Sequence, residues 1–209
     1  MSVHDVEQVI FDVAAALRVP VLVATLAALA LVIVDAGFLA GEVWRRRKRG
    51  YDRLDVAVTL ARKALAEGER ADAFVALRPV CWSGSMSDAM ELLVAVHSED
   101  GAEQRAGKAL ADFDYRSLRR LERSRLLVRA GPALGLMGTL IPLAPALAAL
   151  AAGDVAVLSE NLRVAFSITI LGLLIGACAF GISLIRDRLY SQDLSDLEYV
   201  AAMLGEGEG

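Results

Sequence analysis

Apolar residues run almost without interruption from Val19 to Ala40. That length is close to the ~20 residues a helix needs to cross a hydrocarbon core ~30 Å thick. Two further apolar stretches, Gly131 to Ala152 and Leu162 to Ile185, are separated only by Gly153 to Glu160. So short a link predicts an antiparallel pair of spanning helices. Between the first span and this hairpin, charged and apolar residues alternate at helical spacing. Leu54, Val58, Ala61 and Leu65 form one series, with Gly68 as its stop. Ala106, Leu110, Phe113, Leu118, Leu121 and Leu127 form another, predicting a long helix over Ala102 to Val128 that runs straight into the second span. Pro79 to Ser87 reads as a loop, and no segment carries a strand pattern. Ahead of the first span, Val6, Val9, Ile10, Val13 and Leu17 share one helical face, as in an amphipathic helix on the outer surface. The chain therefore reads as an all-α integral membrane protein with three transmembrane helices and a helical cytoplasmic region. Its divisions are an outer amphipathic segment (1–18), the first span (19–43), a cytoplasmic helical region (44–130), the hairpin (131–187) and a cytoplasmic C-terminal tail (188–209).

Charge fixes the orientation. Trp44 and the run Arg45-Arg46-Arg47-Lys48-Arg49 follow the first span, and six arginines from Arg116 to Arg129 precede the second. Arg186 and Arg188 follow the third, while the tight hairpin loop carries Asp154 and Glu160. By the positive-inside rule the basic ends are cytoplasmic, so the N-terminus lies outside and the C-terminus inside a cytoplasmic (inner) membrane. Charged residues make up 23% of the 209, too many for a chain wholly within a bilayer. A net charge of −4 gives no footing for nucleic acid. Cys81 and Cys178 are far apart, and His4 and His97 are isolated, so neither a metal site nor a disulfide framework is expected, and no cofactor. The first apolar run follows Asp5, Glu7 and Asp12 and exceeds a signal-peptide core, which predicts a retained anchor.

At about 100° per residue, Gly135, Thr139, Pro142 and Ala146 fall on one stripe of the second span. Ala165, Thr169, Gly172, Gly176 and Ser183 fall on one stripe of the third. Small faces let helices pack closely; the same faces suit a narrow lumen in an oligomer, and the residues alone leave both readings open. Two such stripes facing the same side point to a homo-oligomer that covers them. Ser167 falls on the opposite face and is expected to bond to its own helix backbone. Pro142 and Pro145 remove two backbone donors, which predicts a kink. No Asp, Glu, Lys or His occurs between Pro132 and Ala152 or between Val164 and Ile185. The only acid inside the apolar runs is Asp35, near the cytoplasmic end of the first, where it also reads as an interfacial charge facing the arginine run.

Pro132-Ala133-Leu134-Gly135-Leu136-Met137-Gly138-Thr139 has the form P-x-x-G-L-x-G-T, and Thr169-Ile170-Leu171-Gly172-Leu173 has the form T-x-x-G-L. With a single span ahead of the cytoplasmic region, these segments resemble the three-helix TolQ/ExbB branch of the MotA/TolQ/ExbB proton-channel family. Two positions depart from the branch: Val164 stands where it usually has Glu, and Cys178 where it has Pro. The resemblance implies a stator-type proton-channel subunit of a motor driven by the proton-motive force, not an enzyme. It implies five copies around a single-span ExbD/TolR-like partner with an intramembrane Asp. It also implies a lumen lined by Thr139 and Thr169 with Gly135, Pro142, Ala146, Gly172 and Gly176, and leaves Asp35 as a proton-related candidate within the chain. The alternative is a structural membrane scaffold, packed through its small-residue faces, that recruits a soluble partner. The topology is directly testable. An impermeant thiol reagent applied to intact cells should label an Asp154→Cys variant and spare a Ser98→Cys variant, and the reverse pattern would invert the orientation.

Overall fold

The computed structural model describes residues 3–48 and 50–205. Met1, Ser2, Arg49 and residues 206–209 lie outside the described residues, and with them the last arginine of the basic run and the end of the expected tail. The described residues are all-helical, and three helices are long and apolar enough to cross a membrane. They are α1 (Val3–Ala16), α2 (Arg18–Arg45), α3 (Tyr51–Ala66), α4 (Arg70–Leu77), α5 (Gly84–Val96), α6 (Ala102–Ala151) and α7 (Val155–Gly205). Two compact units divide them. One comprises residues 1–38 and 123–183, the other 39–122 and 184–209, and α2, α6 and α7 each contribute to both.

The first unit holds the apolar spans. Leu, Ala and other good helix formers dominate them, so nothing local interrupts the helices except proline. Pro132, Pro142 and Pro145 all lie inside α6, which nevertheless continues as one helix of 50 residues, as the periodicity of Ala102 to Val128 predicts. Along α2, Val21, Thr25, Ala28 and Val32 are buried at helical spacing, while Val19, Val23, Leu26, Ile33 and Val34 are exposed. One stripe thus packs inward, and the rest is an apolar surface suited to lipid or to another chain. The connection between α6 and α7 is shorter than the sequence indicates. Gly153 takes a positive φ of 73°, and Asp154 donates its backbone N–H to the Ala149 carbonyl at 2.9 Å, closing the end of α6. The Asp154 side chain then accepts from the Val157 amide at 3.0 Å and caps α7. Residues 155–160, expected as loop, are therefore the first turns of α7.

The second unit is a bundle of short helices closed by parts of α6 and α7. In α3, Leu54, Ala57, Val58 and Ala61 form the buried face. That helix ends where Gly68 (φ 82°) lets the Glu69 amide reach the Ala64 carbonyl at 2.9 Å, so the predicted stop is a glycine C-cap. Pro79 to Ser87 is only partly a loop. Ser83 accepts from the Met86 amide at 3.2 Å and starts α5, which buries Met86, Ala89, Met90, Leu93 and Val94. The expected C-terminal tail is corrected too, since residues 188–205 complete α7. Leu197, Val200 and Leu204 are buried in one core with Phe113, Leu77 and Met86. Tyr190, Asp193, Leu197, Val200 and Leu204 recur every three or four residues, so this segment is core by the same periodicity used elsewhere. Half-buried Cys81 belongs to this unit, and burial pushes its thiol up to about 11.

A buried ion triad joins the end of α2 to α7 within this unit. The Arg46 guanidinium donates to both oxygens of Asp193, at 2.6 and 2.8 Å, and to Glu42 at 2.9 Å. Asp193 is fully buried and the Arg46 side chain nearly so. Burial by itself would lower the Arg46 pKa, but the Asp193 and Glu42 carboxylates outweigh it and hold it above the ordinary value. A charge so placed is costly once its partner is lost, by about 3–5 kcal/mol. An Asp193→Ala variant should lower the unfolding stability of this unit by about that amount. An exposed Ser191→Ala change two residues away should leave it within about 0.5 kcal/mol. Denaturant unfolding of the detergent-solubilised protein measures both.

Candidate functional site

The site of interest is the hairpin of α6 and α7, because its two helices meet backbone to backbone. A Cβ on Gly172 would lie 2.6 Å from the Gly131 carbonyl oxygen and 2.7 Å from the Gly135 Cα. One on Gly131 would lie 2.7 Å from the Gly172 oxygen and 2.8 Å from the Gly176 nitrogen. A Cβ on Gly176 would come within 2.9 Å of the Pro132 ring. No side chain larger than hydrogen fits at these crossings, and the neighbouring atoms are backbone or proline ring, which cannot swing aside. Gly135 is less tight, at 3.3 Å from the Gly172 Cα and 3.4 Å from the Thr169 carbonyl.

This geometry corrects one expectation. A single copy does cover the two small stripes, because it packs them against each other, so the stripes by themselves do not require an oligomer. Gly135, Pro142, Ala146, Gly172 and Gly176 are all buried within the one chain. Of the residues implied to line a lumen, Thr139 and Thr169 alone stay half-exposed. They lie within about one helical turn of each other along the hairpin, since the Thr169 backbone abuts Gly135, four residues before Thr139. Their hydroxyl protons are used internally. Thr139 donates to the Leu136 carbonyl at 2.7 Å and to the Gly135 carbonyl at 3.2 Å, and Thr169 to the Ala165 carbonyl at 3.1 Å. Each oxygen therefore turns acceptor lone pairs outward. Ser167 behaves as expected, donating to the Arg163 carbonyl at 2.8 Å. Asp35 is half-buried on α2 and has an interaction partner.

Two features escaped the sequence reading. At the loop end of the hairpin, Arg18 donates to the Asn161 side-chain oxygen at 3.5 Å, and buried Asn161 donates in turn to the Val157 carbonyl at 3.0 Å. This polar contact places the start of α2 level with the first turns of α7. Beside it, Arg18, Gly138, Ile141, Pro142 and Val164 border a cavity of about 10 Å³. That is close to the space of a single water, next to the Gly138 carbonyl whose usual helical donor is the amide that Pro142 lacks. Only Pro142 signalled the spot in the sequence; Asn161 lies outside the family motif segments and gave no sign of burial.

Comparison with known proteins places these elements together. The model of the MotA/TolQ/ExbB proton channel family matches residues 83–198, taking in α5, α6 and most of α7, which is more than half of the chain. No curated protein matches the chain. The seam itself makes a sharp expectation. Gly172→Ala should destabilise the hairpin by about 1–3 kcal/mol through overpacking. Gly181→Ala, where an added Cβ meets nothing within 4 Å, should be neutral. Thermal melts of the two variants in the same detergent read the difference.

Proposed function

Because the chain belongs to the MotA/TolQ/ExbB proton channel family, we propose that it is the channel-forming, stator-type subunit of a motor complex driven by the proton-motive force. Five copies form a ring in the inner membrane around a single-span partner similar to ExbD or TolR. The observation that carries this reading is a pairing of presence and absence. The hairpin holds two half-exposed hydroxyls within about one turn of each other, yet its spans contain no Asp, Glu, Lys or His. Threonine does not exchange a proton near neutral pH, so the relay carboxylate comes from another chain, with Asp35 as the candidate within this one. Hydroxyl oxygens that already donate to their own helix favour a donor opposite them. A protonated carboxyl or a water fits that site better than a carboxylate does. Loss of the proton then weakens the partner's hold on that pair of threonines and lets it move to the next subunit. No covalent chemistry is involved, and the protein acts as a channel rather than an enzyme.

The alternative, a packing scaffold, draws on the glycine seam, which explains the small residues without any lumen. The threonines separate the two. Thr139→Val and Thr169→Val keep the β-branched shape and remove only the hydroxyl. An intramembrane hydrogen bond averages ~0.6 kcal/mol, so both variants should assemble normally. In the channel reading they lose proton flux in vesicles that contain the partner, while Ser167→Ala retains it. Full flux in both valine variants, with loss in Ser167→Ala, would reverse the face assignment and end the channel reading.

A further inference from the structure

The first fourteen described residues pose a problem that the proposed channel does not solve. Helix α1 buries none of its residues, although Val3, Val6, Ile10, Val13 and Leu17 are all exposed along it and at its end. Their spacing alternates three and four residues, the a/d heptad spacing of a coiled coil. Taking Val3 as a, Val9 and Ala16 fall at g and Ala14 at e, so the flanks of the seam are also apolar apart from Glu7. Asp5 and Asp12 fall at c, on the outer side.

An amphipathic helix at the end of a membrane span has two obvious covers, the lipid surface and other helices. Three observations favour helices. First, α1 does not fold away from α2. Hydrogen bonds continue through the junction, from Leu17 N–H to the Val13 carbonyl at 3.2 Å and from Val21 N–H to the Leu17 carbonyl at 3.0 Å. Pro20, which lacks an N–H for the Ala16 carbonyl, accounts for the local irregularity without a right-angle turn. Second, the apolar run of α2 begins at Val19, next to the Arg18 that bonds to Asn161, which sets the level at which the span starts. At about 1.5 Å per residue, α1 therefore continues roughly 20 Å beyond that level. Third, the polar face of α1 carries Asp5, Glu7 and Asp12 and no Lys or Arg, the opposite of the basic face that anchors interfacial helices to anionic lipid.

We propose that α1 helices from neighbouring copies of this chain associate in parallel through Val3, Val6, Ile10, Val13 and Leu17, forming a short helical bundle outside the membrane. The inference rests on the homo-oligomer of the proposed function and adds a second, aqueous interface to it. In a parallel arrangement the g position of one copy meets the e position of the next, so Val9 meets Ala14. The acids at c stay in water, and no like-charged pair is forced into the seam. Two heptads are too few to associate alone, but copies already held side by side by their spans meet at high effective concentration.

Disulfide trapping in the full-length protein tests the bundle. In a Cys81→Ala/Cys178→Ala background, single cysteines replace Val6, Ile10 and Val13 at the seam, or Asp5 and Asp12 outside it. All five positions are exposed, so folding is not at stake. Oxidation with copper phenanthroline in nanodiscs should give covalent dimers roughly tenfold faster at the seam positions than at Asp5 and Asp12. Native mass spectrometry of the same samples distinguishes loss of the bundle from loss of the ring. An oligomer with no preference for the seam overturns the bundle alone, and so does an oligomer whose seam positions are quenched by spin-labelled lipid. A monomer overturns the oligomeric ring and the bundle together.

Discussion

The hairpin depends on a contact that only hydrogen-sized side chains permit. Where Gly131 and Gly135 of α6 cross Gly172 and Gly176 of α7, an added Cβ would meet backbone atoms or a proline ring at under 3 Å at three of the four positions. In a bilayer this matters more than in water, because lipid tails are as apolar as Leu and burial of apolar surface gives no net drive for helices to associate. Close backbone approach supplies dispersion contacts in its place. From that contact follows the level of every other group on the hairpin. Thr169 sits against Gly135, Ile168 faces Gly138, and Thr139 lies one turn further on.

The second unit is held by different physics. Its core of Leu, Val, Met and Phe side chains interlocks across several short helices, so burial of apolar side chains, not close backbone approach, holds it. It also contains what the spans lack, a buried charge cluster. Arg46 sits between Asp193 and Glu42 with both carboxylates in hydrogen-bond range, and Tyr190 nearby has its phenol pushed up by burial first and by the Glu42 charge second. Fixing Arg46 this way orients the end of α2 against the last part of α7 through directional bonds. A purely apolar contact there would tolerate sliding.

Much of this was legible in the sequence, and the exceptions have physical causes. Hydropathy suffices for the three spans, and the 3.6-residue period for α3 and the long α6. The glycine stop at Gly68 is a matter of chain stereochemistry and was equally readable. Two boundaries were not, because capping acids and serines look like loop residues until their bonds are seen: Asp154 starts α7 and Ser83 starts α5. The segment after Arg188 carries enough charge to pass for a tail, yet Leu197 and Val200 recur at core spacing and are fully buried. At the candidate site, the stripes were found correctly as stripes. What helical periodicity cannot supply is the neighbour each stripe faces. The glycines face the sister helix of the same chain, and this leaves Thr139 and Thr169 as the part of the pattern with surface to offer.

That division sharpens what the missing acids mean. A span that carried its own carboxylate beside the seam would bury it among glycines with no donor to satisfy it, at a cost of several kcal/mol in ion desolvation. A hydroxyl has no such difficulty, because it bonds to the carbonyl one turn back and remains neutral in every state. The hairpin is thus stable whether or not an ion or a proton is present. Under the proposed function, a titrating group on a separate chain would change contacts between subunits and leave the fold of this hairpin intact. In the ring proposed above, separating the rigid, neutral element from the titrating one would keep the energy of each proton in the interface.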